Sequence, residues 1–157
     1  MSETCCFIGK APKNLSVTES NRLSMSLSAL FSYLVFSKKV KEYLFVFSED
    51  IYYVAHPALD PFLSVDREIK RTLLSSKEQM LRVSFSEKYR FPFEETRPCD
   101  PDMLVTQAIE ESDYCVFYFD DEFPSREEFF AFQYAKEHNK KALNLYRLED
   151  IGKVFAL

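Results

Sequence analysis

Several short runs of this chain are apolar at nearly every position, not at every second one: TCCFI at 4–8, YLFVFS at 43–48, the run at 114–119 and ALNLY at 142–146. Successive strand side chains point to opposite faces, so a strand without polar alternation needs cover on both sides. Residues 80–86 (MLRVSFS) read as a further strand. Between the runs the period changes. Leu23, Leu27, Leu30, Phe31 and Leu34 recur at helical spacing and predict a helix over 20–41; Phe62, Val65, Ile69 and Leu73 predict another over 61–77. Asp100-Pro101, with Asp as N-cap and Pro in the first turn, predicts a helix to about Ser112. A fourth helix is expected over 126–138, with Asn139 as its left-handed cap, and a short one in the tail from Leu148. Residues 51–55 (IYYVA) prolong the second strand after a kink or form a short strand of their own, and 88–102 read as an irregular loop with three prolines.

Strands covered on both faces and separated by helices give a parallel sheet between two helical layers. The fold expected is a three-layer α/β sandwich of Rossmann type, with a mainly parallel sheet of about five strands in one domain spanning 1–157. A chain of 157 residues suits one core, and 46% hydrophobic, 16% aromatic and 29% charged residues make it globular, not disordered. The net charge of −5 comes without a Lys/Arg stripe, so no nucleic-acid partner is expected. The clusters Lys38–Lys39–Lys41 and Lys140–Lys141 follow helices, where cations suit the C-terminal dipole. No apolar run reaches the ~18 residues of a membrane span, and the N-terminus lacks the pattern of a signal peptide. Cys5, Cys6, Cys99 and Cys115 form neither a disulfide framework nor a zinc spacing, which points to reduced thiols and a cytoplasmic location. His56 and His138 stand far apart, so neither a metal nor a cofactor is expected. Cys99 is the one thiol in an irregular loop and the one candidate for reactivity.

Ligands of such folds bind beyond the C-terminal ends of the strands. That edge collects residues 9–10, 48–50, 85–86 and 120–125, and with them the candidate ligand residues Gly9, Lys10, Ser48, Asp120, Ser125 and Arg126. Lys10 follows the first strand directly. Asp120, Asp121 and Glu122 either hold a ribose hydroxyl or Mg²⁺, or form a solvated acidic turn. Ser125-Arg126-Glu127-Glu128 is a capping box, which gives Ser125 and Glu128 a structural task, although a helix N-terminus beside Arg126 also suits an anion. Arg97 is read as a clamp for a carboxylate or phosphate, or as the partner of Glu94 or Glu95. No Ser/His/Asp or Cys/His constellation can be assembled.

The opening Cys5-Cys6-Phe7-Ile8-Gly9-Lys10-Ala11-Pro12 resembles the "C-C-F-T-G-H-R-P" start of the SLOG superfamily, the Rossmann-like group that includes the cytokinin-activating LOG enzymes and SMF-type DNA-processing proteins. Small bacterial SLOG proteins are the nearest in pattern. Glu111-Ser112-Asp113 with the strand after it, and Tyr134-Ala135-Lys136 with Lys140–Lys141, resemble the group's "D-N-S-D" and "N-Y-A-K-K-K-G-K", so the likeness spans about residues 4–147. The departures concern the ligand loops. Ser48-Glu49-Asp50-Ile51 stands where "S-G-G-A" is expected, and 123–128 hold no glycine where "G-G-T" is expected. Counting back without gaps from Tyr134-Ala135, the "G-T-x-x-E" of the LOG enzymes falls on Glu127 to Ala131, and the nucleophilic Glu of the similar nucleoside deoxyribosyltransferases also falls on Ala131. The resemblance therefore implies a small non-enzymatic binding or regulatory protein with a degenerate nucleotide pocket. Its partners would be a nucleotide-derived small ligand, or a protein or second copy meeting Phe123, Phe129 and Phe130. The alternative it implies is an enzyme acting on N-glycosidic bonds of nucleosides or nucleotides, with Glu127 or Glu128 as nucleophile or base.

Overall fold

The structure is a computed structural model and describes residues 3–10, 14–79 and 93–146. Its sheet has six strands, all parallel: β1 Thr4–Gly9, β2 Glu42–Val46, β3 Lys70–Ser75, β4 Glu95–Pro98, β5 Tyr114–Tyr118 and β6 Lys141–Asn144. Their order is β4-β3-β2-β1-β5-β6. Helices α1 (Val17–Ser32, running into a π-helical turn Tyr33–Ser37), α2 (Tyr52–Leu63), α3 (Leu104–Glu111) and α4 (Arg126–Glu137) cover it. The expected Rossmann-like sandwich is therefore present, with six strands instead of five.

The apolar runs are explained by two cores. Cys5 and Phe7 of β1 face Tyr43, Phe45 and Val116 beneath α1 and α2, while Cys6 and Ile8 face Leu44, Val46, Cys115 and Phe117 beneath α3 and α4. Phe7 stacks on Phe45 with ring centroids 5.3 Å apart and lies 5.4 Å from Phe31 of α1. Such pairs add about 0.5–1.5 kcal/mol each beyond area burial. On the second face Cys6 sits in register with Cys115, and Cys5, Cys6 and Cys115 are all fully buried.

Three stretches differ from the sequence reading. Residues 51–55 are not strand: Tyr52, Ala55 and Leu59 form the buried stripe of α2, which holds Pro57 and Pro61. The aromatic and β-branched residues and the prolines hide the helical period there. The helix expected over 61–77 ends at Leu63, and Lys70–Ser75 is instead an inner strand between β2 and β4. Its charge misleads, because Arg71 is only 6% exposed and is neutralised on both sides: Nη1 donates to Asp60 at 2.6 Å and Nη2 to Glu94 at 2.8 Å. Within 88–102, Glu95–Pro98 forms a short edge strand, with Pro98 at its end where no ladder donor is needed. The strand expected over 80–86 and the tail helix lie outside the described residues.

Helix ends follow local chemistry. Ser16 caps α1, its Oγ accepting from the Glu19 N–H at 3.1 Å. Asp100 does not cap α3 directly. Its carboxylate accepts from the Asp102 N–H at 2.9 Å and its carbonyl from the Met103 N–H at 2.9 Å, so the helix starts one turn later with Met103 as N-cap. Asn139 takes the left-handed conformation expected of it, at φ 59°.

Candidate functional site

The chain leaves β1 toward β2 on one side, and β5 lies on the other, so the topological switch point of the sheet falls between β1 and β5. In open α/β sheets the ligand crevice lies at that point, beyond the strand C-termini. Gly9, Lys10 and the β5–α4 turn from Phe119 to Ser125 converge there.

Gly9 has φ 144°, and a Cβ on it would lie 2.6 Å from the Tyr118 carbonyl oxygen. Its carbonyl accepts from the Ile51 N–H at 3.0 Å. The glycine thus serves the close approach of β1 to β5 and the seating of the β2–α2 turn. Lys10 folds over that turn: its Nζ donates to the Ser48 carbonyl and stands 3.7 Å from Glu49 Oε2. Ser48 contributes its backbone oxygen and is itself exposed. Glu49 is the residue that the sequence reading passed over. Its side chain is only 17% exposed, and burial pushes its carboxyl above the usual carboxylate range. Glu128 and Asp50 push in the same direction, while Lys10 and a hydrogen bond from the Gly9 backbone pull back. The signal was in Ser48-Glu49-Asp50-Ile51, where a charged residue in place of a glycine marks an added group as well as a lost loop.

Across the crevice the start of α4 is closed by its own side chains. The Glu128 N–H donates to Ser125 Oγ at 3.1 Å, and the Ser125 N–H donates to Glu128 Oε1 at 2.9 Å, completing the expected capping box. Asp120 turns its carboxylate back on the loop and accepts from the Glu122 N–H at 3.0 Å. It also holds the Tyr146 phenol above its usual range, with Glu122 and Asp121 adding to the effect. Arg126 is exposed in the first turn of α4, as is Glu127, and Ala131 is buried against the sheet.

Arg97 is not part of this group. It sits in β4, three strand spacings from β1, about 14 Å away. Neither Glu94 nor Glu95 is its partner: Glu94 binds Arg71, Glu95 pairs with Lys70 at 2.5 Å, and Arg97 Nη2 donates to Glu111 Oε1 on α3 at 2.7 Å. Gln107 joins the same carboxylate at 2.9 Å and accepts from the Cys99 thiol at 2.8 Å, so Arg97 and Cys99 tie the edge strand to α3. Burial raises the Cys99 thiol pKa, which opposes reactivity. Residues 85–86, expected on the same edge, lie outside the described residues.

Three cavities open at the surface among the described residues. One of about 330 Å³ lies between α1 and Tyr118 and Tyr146, a second of about 330 Å³ between Phe119, Phe129 and Phe132, and a third of about 500 Å³ beside Ser76 and Cys99. None of the three is lined by Gly9, Lys10, Ser48, Arg97, Asp120, Ser125 or Arg126. Among the described residues no group of three or more His, Cys, Asp or Glu is placed to hold a metal ion, and no helix is long and apolar enough to cross a membrane.

No protein-family model matches the sequence, and comparison with curated proteins finds none similar to it.

Proposed function

We propose that this is a non-catalytic, SLOG-like binding or regulatory protein whose nucleotide crevice has been filled by its own side chains. One observation carries the reading. At the start of α4 the capping box takes up the Ser125 and Glu128 N–H groups and, in Glu128, one of the two carboxylates that the enzyme alternative would use. Glu128 accepts from the Ser125 backbone at 2.9 Å, so its charge is directed to the helix end. Lys10, the cation best placed for phosphate, is engaged by Ser48 and Glu49. Five carboxylates between Asp120 and Glu128 against one Arg oppose an anion further. A bound ligand would have to displace these contacts, which favours weak or uncharged ligands over nucleoside phosphates.

The enzyme alternative, cleavage of an N-glycosidic bond, has one observation in its favour. Glu49 is a shielded carboxyl beside Lys10 with a raised pKa, the character of a general acid. A thermal-shift series with nucleosides, nucleotides and free bases, followed by chromatography of each mixture, separates the two. Stabilisation by an intact ligand, without release of base, supports the binding reading. Base release that Glu49→Gln abolishes would overturn it.

A further inference from the structure

We infer that the cavity between α1 and the C-terminal ends of β5 and β6 is a binding site for a free α-amino acid with an apolar side chain. The inference does not depend on whether the crevice between Lys10 and the start of α4 binds anything. The cavity holds about 330 Å³, at the small end of the ~300–1,000 Å³ range of small-molecule sites. Helix α1 supplies Glu19, Arg22 and Leu23, and the sheet side supplies Tyr118, Leu145 and Tyr146. Leu23 and Leu145 are buried and give the cavity an apolar wall. The rings of Tyr118 and Tyr146 meet edge to face, with centroids 5.8 Å apart. A ring pair held by its own packing loses little further freedom when a ligand docks on it.

Two opposite charges select the ligand. A spacing of three puts Glu19 and Arg22 on one face of α1, where such pairs commonly bond to each other. Here no ion pair joins them, and among the described residues neither side chain has a hydrogen-bond or ion-pair partner. Both border the cavity. An α-amino acid carries a carboxylate and an ammonium on one carbon and answers both charges at once. Arg22 offers a planar fork that takes a carboxylate through two parallel N–H···O bonds. Glu19 accepts from the ammonium, and tyrosine faces attract the same cation. Burial, Tyr146 and the Glu19 carboxylate all push the Tyr118 phenol above its usual range, so Glu19 acts on this end of the cavity and Tyr118 stays a hydrogen-bond donor. Asp120 raises the Tyr146 phenol in the same way, and a negative end suits an ammonium. The ligand's side chain then lies against Leu23 and Leu145, where a third charge would be desolvated without a partner. A ligand with a single charge leaves Glu19 or Arg22 unmatched, and a nucleoside phosphate sets its negative charge beside Glu19.

Isothermal titration calorimetry on the full chain tests this with L-leucine and L-phenylalanine as probes. Each should bind saturably. Phenethylamine, which lacks the carboxylate, and 3-phenylpropanoate, which lacks the ammonium, should each bind about tenfold or more weaker than L-phenylalanine. Arg22→Gln should abolish the preference for L-phenylalanine over phenethylamine, and Glu19→Gln the preference over 3-phenylpropanoate, a pattern that binding elsewhere on the chain would not produce. Gln suits a helix about as well as Arg or Glu, and Ser16 caps α1 through the Glu19 backbone N–H, so both variants keep the helix, which circular dichroism melts check. Adenosine, which carries neither charge, should not compete with L-phenylalanine. The absence of saturable binding up to about 10 mM amino acid, singly charged analogues that bind as tightly as L-phenylalanine, variants that keep both preferences, or displacement by adenosine would each overturn the proposal.

Discussion

Gly9→Ala tests whether the one glycine in the candidate site serves the fold or a ligand. The added methyl would sit 2.6 Å from the Tyr118 carbonyl oxygen, 3.1 Å from its nitrogen and 3.3 Å from its carbonyl carbon, all backbone atoms that no rotamer change can move aside. The residue would also have to hold φ 144°, which L side chains rarely adopt. Backbone strain of that kind costs about 1–3 kcal/mol, and forcing β1 from β5 at the sheet centre loosens a packed core, so about 3 kcal/mol in all is expected. For a domain of this size each kcal/mol lowers Tm by about 2–4 °C, giving a drop of about 6–12 °C. Differential scanning calorimetry and urea titration of both proteins measure it, with an unchanged urea slope marking a loss of stability alone. If the glycine were kept only for close approach of a ligand, Ala would leave Tm unchanged or raise it slightly by stiffening the unfolded chain. A Tm within one degree of the parent would refute the structural account.

Ser125→Ala removes half of the capping box and should cost about 1 kcal/mol, seen as a Tm lower by about 2–4 °C, with the response to nucleotides unchanged. Arg71→Ala leaves Asp60 and Glu94 facing each other around a hole and should cost about 2–3 kcal/mol in urea titrations, discounted because both carboxylates are partly exposed. Glu49 has a folded pKa above its unfolded one, so its contribution is most favourable at low pH and declines as pH rises from the ordinary carboxylate range through the raised value. Glu49→Gln should therefore be more stable than the parent at neutral pH, with the difference vanishing below the carboxylate range; a difference that grows on acidification would contradict the assignment.

Where the sequence was legible, one physical signal dominated. Unalternated runs such as 4–8 and 114–119 read as buried parallel strands because nothing in them competes with that reading. The capping box at Ser125 and the left-handed Asn139 were visible because their chemistry is local. Lys70–Ser75 was missed because the cost of burying Arg71 is met by Asp60 and Glu94, 11 and 23 residues away. The same distance effect hid the partner of Arg97. Glu111 stands 14 residues on, while two nearer carboxylates offered themselves in the sequence. Glu49 was overlooked for another reason: it is shielded where the loops after β1 and β2 meet and Lys10 stands 3.7 Å away, an arrangement between loops that no periodicity reveals.

Cys5, Cys6 and Cys115 occupy the centre of the sheet, where burial holds the Cys5 thiol pKa high, while contact with Cys6 and then burial do the same for Cys115. A thiolate is the species that alkylates, so these sulfurs are silent toward iodoacetamide while the sheet is intact. Cys5 and Cys6 lie on the two faces of β1, an innermost strand, so their labelling follows openings that reach the sheet centre, while Cys115 on β5 has only the short β6 between it and the sheet edge. The chain thus carries an internal clock of its own unfolding, read by mass spectrometry against Cys99 as the reference for local exposure.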